Sequence, residues 1–388
     1  MTPFGKVDPG GMVARLLLAF LGTAGLYYVN IMPALVDGLK QGLAFSNREA
    51  GLVGSANVYG AACGAFLIAF YVRRVEWRRA AVRLLVGLVS MDLLSMLVQT
   101  PLLLAGVRFA HGFFGGMLGG VAFAIIARTR APDRTFGMLL LVQAAAGGVG
   151  VMALPLLVPV FGTRALFATL IAFSSVTMLM LQFLPDYPIP EGTPTPGVAG
   201  GPRRLAWPLL LSLFSVFLFQ AANMGLYAFL IGLGQHAGLE RAFVSGTVGI
   251  SDWLAMGGSV LVIVLSTRFG IFRPIFVGML LTIAGVWALF HSELRWVWIA
   301  ANVAGALTWN FVISYLLGMC ARFDRTGQAA VWAGFASKMG LASGPMLASL
   351  IVGTANYDAL ITLSLALLGA ATLTSAVPAR RLDREQSA

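Results

Sequence analysis

The stretch PDYPIPEGTPTPGVAGGPRR, residues 185–204, lies at the middle of the 388-residue chain and decides how the rest is read. Pro185, Pro188, Pro190, Pro194, Pro196 and Pro202, with several glycines, exclude a packed helix, because each proline removes a backbone donor and clashes with the preceding turn. On either side the sequence differs in kind. Long, continuously apolar runs follow one another, separated by breakers such as Ser46 to Glu49, Gln99-Thr100-Pro101 and Ala131-Pro132-Asp133. The runs predict helices over 12–36, 48–72, 79–99, 101–127, 134–160 and 163–184 before the stretch. After it they predict 206–234, 239–268, 271–291, 293–321, 326–354 and 357–378.

Composition says what solvates those helices. Of all residues 59% are hydrophobic and 11% charged, against about 25% charged in a soluble domain that needs a wet skin. Lipid is therefore the solvent, and at roughly 20 residues per crossing the chain accommodates twelve spans. A membrane β-barrel would show alternating segments of about ten residues; these runs are longer and unbroken. The first run, 12–36, is too long for the core of a cleavable signal.

The net charge of +11 would point to nucleic acid in a soluble protein, but in a membrane protein it marks loops. With both termini inside, 19 of the 26 basic residues fall on the cytoplasmic side, among them Arg73, Arg74, Arg78, Arg79, Arg268 and Arg322. The outer loops hold five: Lys40, Arg48, Arg164, Arg241 and Arg295. That asymmetry places both termini and the central stretch in the cytoplasm of a bacterial inner-membrane protein. Cys63 and Cys320 sit in apolar runs and form no disulfide framework or metal signature.

The halves repeat. A shift of 194 residues lays Gly64-Ala65-Phe66-Leu67 on Gly258-Ser259-Val260-Leu261, Arg74 on Arg268 and Arg79 on Arg273. A shift of 191 lays Asp133-Arg134-Thr135 on Asp324-Arg325-Thr326. The organisation expected is an N-terminal six-helix bundle (1–184), a cytoplasmic linker (185–205) and a C-terminal six-helix bundle (206–388).

Three motifs carry a resemblance. The loop from Gly64 to Arg79 keeps a glycine and four arginines, helix 4 reads Leu104-x-x-x-Arg108-x-x-His111-Gly112-x-x-Gly115-Gly116, and helix 5 carries Gly147-Gly148-x-Gly150 before Pro155. In these features the chain resembles the major facilitator superfamily over essentially its whole length. The loop departs from the family pattern, with Tyr71-Val72 where the family has an aspartate, and the second-half copy up to Arg273 lacks one too. The resemblance implies an all-α membrane protein of twelve helices, two six-helix bundles related by a pseudo-twofold axis. It also implies a cavity lined by helices 1, 4, 7 and 10 and flanked by helices 2, 5, 8 and 11.

Polar groups at mid-span on those helices are the candidate site. A charge at the bilayer centre costs at least ~2.5–3.5 kcal/mol, so each needs a partner or water. Arg108 lies seven residues into helix 4, about 10 Å deep, and Asp92 lies at matching depth on helix 3. An Asp92–Arg108 pair and a substrate or proton role for Arg108 are both open. His111 is one turn further on the same face. Asp252 on helix 8 and Lys338 on helix 11 pair with each other or with substrate. Tyr27, Tyr28 and Asn30 in helix 1, Gln220, Asn223 and Tyr227 in helix 7, and Trp309 and Asn310 in helix 10 supply an uncharged lining. Gln220, Asn223 and Tyr227 share one face, whereas Asn57 and Gln143 read as links between helices.

There is no phosphate-binding loop, no nucleophile–base constellation and no clustered Met or Cys motif, so an enzyme, a resident cofactor and a metal site are not expected. The expected activity is secondary active transport of a small organic solute, an organic anion or amphipathic acid, by alternating access in a monomer. The proton is the expected coupling ion, as Asp252 and His111 can titrate. The other readings are a non-transporting sensor or assembly factor on the same fold, and a metal-ion importer.

Overall fold

Apolar runs without water have one local solution, which is to satisfy every backbone group within a helix. The computed structural model of the chain describes residues 5–71, 76–126, 128–129, 132–187, 207–265, 268–323, 328–353 and 355–387. The helices are α1 (Met12–Ala24), α2 (Tyr27–Asn30), α3 (Met32–Leu43), α4 (Asn47–Tyr71), α5 (Trp77–Leu97), α6 (Pro101–Ile126), α7 (Pro132–Phe161) and α8 (Arg164–Met180). They continue with α9 (Trp207–His236), α10 (Arg241–Leu254), α11 (Met256–Leu265), α12 (Phe272–Ala288), α13 (Arg295–Arg322), α14 (Gln328–Val352) and α15 (Tyr357–Ser387). No strand occurs among the described residues. Most of the expected linker, 188–205, lies outside them.

Ten of these helices are each long and apolar enough to cross a membrane. The remaining two crossings are interrupted: α1, α2 and α3 follow one another with only Gly25-Leu26 and Ile31 between them, and α10 and α11 are separated by Ala255 alone. The protein is therefore a multi-pass membrane protein of twelve crossings. Its outer faces carry large apolar side chains in the open, among them Leu97, Leu102, Val160 and Leu373, each at least 70% exposed. Lipid tails cover such a surface; water would not.

Boundaries differ from the sequence expectation at three places. The first crossing runs to Leu43 rather than residue 36, because Pro33 occupies the opening turn of α3, where its missing N–H costs nothing. The helix expected over 239–268 breaks at Ala255, beside Gly257 and Gly258. The last helix passes through Pro378 to Ser387, its final turns supported by the Arg381–Glu385 pair at 2.9 Å.

Contacts divide the chain into two units, Met1–Phe45 with Leu52–Thr193, and Ser46–Gly51 with Pro194–Ala388. In the first, Leu17, Leu18 and Leu21 of α1, Leu85 and Leu88 of α5, Leu118 and Ile125 of α6 and Leu139 of α7 form one buried cluster. Glycines bring α4 and α6 to backbone contact. A Cβ on Gly60 or Gly64 would collide with the carbonyl oxygens of Phe109 or Phe113, and one on Gly112 or Gly116 with those of Asn57 or Ala61. Gly112→Val should therefore force the helices apart at a cost of about 2–3 kcal/mol. Gly119→Ala, whose Cβ meets nothing within 4 Å, should leave stability equal or slightly higher. Thermal unfolding of the two purified variants checks this; equal midpoints would contradict the contact.

In each unit an acid at the C-terminal end of the chain's last helix there anchors the start of another helix. It lies just past α8 in the first unit and in the final turns of α15 in the second. Asp186 accepts from Lys6 and Arg78 at the start of α5, while Arg78 also donates to Leu181 and Leu184 carbonyls. Lys6 first, then Arg78, hold Asp186 below the usual carboxylate range. In the second unit, Asp383 accepts from the Ile271 and Phe272 amides at 2.7 and 3.0 Å, at the N-terminus of α12, where a carboxylate meets the positive end of the helix dipole.

Candidate functional site

In the first unit the helix directions alone bring Asp92 and Arg108 level, since α5 and α6 run antiparallel through a short joint. Arg108 Nη1 donates to Asp92 Oδ1 at 2.8 Å, and both side chains are fully buried. Nη2 donates to the Met91 carbonyl at 3.0 Å, and the guanidinium carbon lies 5.7 Å from the Tyr28 ring centroid and 5.1 Å from that of Phe167. Asn57 Nδ2 donates to the Arg108 carbonyl at 3.1 Å and lies 2.8 Å from His111 Nδ1. The carbonyl fixes the Asn57 amide with its nitrogen forward, so His111 Nδ1 accepts and the imidazole proton sits on Nε2. Nε2 faces Asp92 Oδ1 at 3.4 Å. The cluster is nearly closed: only Asp92 Oδ2 and Arg108 Nε are without a partner among the described residues.

Tyr27 and Asn30 do not join it. The Tyr27 hydroxyl donates to the Ala146 carbonyl and Asn30 Nδ2 to the Gln143 carbonyl, both at 3.4 Å, which ties α2 to α7. Tyr27 also stacks on Phe173 with centroids 4.6 Å apart. Of the three helix 1 candidates, Tyr28 is the one whose ring meets Arg108 and His111 among the described residues.

The second unit builds a different arrangement. Gln220 of α9 is held at both ends: its Nε2 donates to Ser337 Oγ of α14 at 2.8 Å, and its Oε1 accepts from Trp309 Nε1 of α13 at 2.7 Å. Two turns on, the Tyr227 hydroxyl donates to Asp252 Oδ2 of α10 at 2.7 Å, and its ring meets Trp309 edge-on at 5.6 Å. Asn310 Nδ2 donates to the carbonyl of Ala255 at 3.0 Å, the residue where α10 gives way to α11. Helices α9, α10, α13 and α14 are thus joined through Gln220, Tyr227, Asp252, Trp309, Asn310 and Ser337. Asn223 stands apart, donating to its own helix at Phe219.

Asp252 and Lys338 do not pair. Asp252 takes the tyrosine hydroxyl, and Lys338, half-buried beside Ser337, forms no ion pair or hydrogen bond among the described residues. Asn57 links α4 to α6, as expected of it, and also meets His111, whereas Ser337 was not among the sequence candidates. For Ser337 the signal was its place beside Lys338; for Asn57 it was a polar side chain one turn from the contact glycine Gly60. No group of three or more His, Cys, Asp or Glu with metal-binding geometry occurs among the described residues.

The sequence pattern described as the Major Facilitator Superfamily matches residues 16–345. No curated protein matches the sequence. Among solved structures, the nucleoside transporter NupG is 13% identical, with a TM-score of 0.76 over 94% of this chain and 98% of that one. A bacterial homologue of the human lysosomal transporter Spinster, inward-facing and occupied, is 14% identical, with a TM-score of 0.71 over 98% of each chain. At these identities the likeness is one of fold.

Proposed function

Since the chain belongs to the major facilitator superfamily, we propose that it is a secondary active transporter of a small organic solute, driven by protons through alternating access. The observation that carries this reading is the Tyr227–Asp252 hydrogen bond. Asp252 has no cation against it among the described residues, and its one partner there is a hydroxyl. A hydroxyl donates to the carboxylate and accepts from the carboxylic acid, so the pair survives both protonation states. Arg108 and Asp92, in contrast, already match each other's charge.

The solute class we propose is an organic anion with an apolar part. Lys338 is a half-buried cation of the second unit with no ion pair among the described residues, and Trp309 and Tyr227 supply aromatic surface. Arg108 would serve an anion only where the anion displaces Asp92. Both termini on the cytoplasmic side of a bacterial inner membrane, the halves 1–184 and 206–388 about a 185–205 linker, and a working monomer belong to the same proposal.

A thermal-shift screen of metabolites on purified protein tests it and supplies the solute. Anions should dominate the hits, and Lys338→Gln should weaken them about tenfold, the worth of one charge-assisted hydrogen bond. A preference for cations, or anion binding untouched by Lys338→Gln, would remove this assignment.

A further inference from the structure

One cavity lies outside all of these groups. It sits at the end of the second unit where α11 and α13 finish and α12 begins, and has a volume of about 180 Å³. Residues Ser314, Tyr315, Gly318, Met319 and Arg322 of α13 line it, on one face of that helix, with Val262 of α11 and Ile271 ahead of α12. Its cause is local. A Cβ on Gly318 would meet nothing within 4 Å, so the cavity opens where the helix omits a side chain.

Arg322 is the charged group at this cavity. It is exposed, and it makes no ion pair or hydrogen bond among the described residues. Among the described residues the acids nearby are already engaged: Asp383 spends its two oxygens on the Ile271 and Phe272 amides, and Glu385 pairs with Arg381. A second cation, Arg380, lies over the Phe272 ring at 4.4 Å, one residue along from the cavity wall. The site thus presents positive charge that no carboxylate among the described residues of this unit matches.

Depth and surroundings say which kind of anion fits. α13 has 28 residues, about 42 Å at 1.5 Å each, which is the full bilayer including its headgroup layers. Arg322 closes that helix and stands at headgroup level. The adjoining faces of α11 and α12 are apolar and open: Val260, Leu261, Val264 and Phe276 are each exposed by more than a third, as is Phe269 in the joint between them. Acyl chains would cover that wall, and a soluble anion would leave it bare. The volume also falls below the roughly 300–1,000 Å³ of pockets that enclose a whole drug-sized ligand, but it admits a headgroup.

We propose that this cavity binds the phosphate diester headgroup of an anionic phospholipid, with Arg322 on the phosphate and the acyl chains along α11 and α12. Such a lipid ties the ends of α11 and α13 to the start of α12. The site is independent of solute transport.

The test uses the full chain purified in detergent, with retained lipid read by native mass spectrometry after exposure to phosphatidylglycerol or phosphatidylcholine. Phosphatidylglycerol should be retained preferentially, and Arg322→Gln should reduce its retention about tenfold. Gly318→Leu, which fills the cavity without touching a charge, should reduce it too, and decides the matter should Arg322→Gln fail to fold. Inorganic phosphate and glycerol 3-phosphate form the soluble arm, and neither should compete. Equal retention of the two lipids, retention unchanged in Gly318→Leu, or Arg322-dependent competition by inorganic phosphate would each overturn the proposal.

Discussion

Asp92→Asn is expected to destabilise the protein by about 3–5 kcal/mol, the cost of leaving a buried charge without its partner. Asparagine keeps the volume of the side chain and an oxygen for Arg108, so the loss isolates charge from shape. Arg108 is fully buried and cannot move its guanidinium to water without unpacking Tyr28 and Phe167. The reverse variant, Arg108→Gln, should cost less, because a carboxyl can take up a proton whereas a guanidinium cannot give one up. The double variant should recover much of the loss, giving a coupling near the upper end of measured cycles, about 3 kcal/mol. Thermal unfolding of the four proteins in one detergent measures all of this. A wild-type midpoint for Asp92→Asn would mean that water reaches Arg108 and that the pair does not hold α5 against α6. The same proteins also report on substrate: if folded Arg108→Gln loses anion binding that Asp92→Asn keeps, the anion does displace Asp92.

Some of this architecture was legible in the sequence, for physical reasons. Crossing number follows from run length, since no other structure satisfies the backbone in lipid. The Asp92–Arg108 pairing was legible as one of two readings, because two charges at matching depth on consecutive antiparallel helices have few other ways to be neutralised. The interruptions at Gly25-Leu26 and Ala255 were not, because a glycine in an apolar run reads as a packing residue whether or not the helix breaks beside it. The last run ends at residue 378, yet α15 continues through Pro378 to Ser387, held by Asp383 on the Ile271 and Phe272 amides and by Arg381–Glu385. Helical periodicity put Gln220, Asn223 and Tyr227 on one face, and that much is local. Which helix faces them is tertiary, so the bridges from Gln220 to Ser337 and Trp309 could not be read, nor could the turn of Asn223 back onto its own backbone.

Asp252→Asn should abolish solute accumulation driven by an imposed pH gradient in proteoliposomes, to the level of empty vesicles, while solute exchange across the membrane persists. The amide fits the same space and still accepts from the Tyr227 hydroxyl, so the link between α9 and α10 survives. What it lacks is a proton that can be taken up on one side and released on the other. An equilibrium shifts only by the difference in binding between two states, and an amide that never changes protonation contributes no such difference to the proton gradient. Asp252→Glu should restore part of the coupling, and Tyr227→Phe should slow transport without uncoupling it, because the carboxyl itself remains. The interruption at Ala255 lies three residues beyond Asp252 and is held by Asn310, so a change of charge at Asp252 has a discontinuous helix next to it on which to act. Asn310→Ala should consequently impair transport and leave Asp252 able to bind its proton, which separates the hinge from the titrating group. Gradient-driven accumulation unchanged in Asp252→Asn would remove Asp252 from the mechanism. Loss of exchange together with accumulation, in a variant whose unfolding midpoint is unaltered, would make Asp252 part of the solute site instead of the proton's.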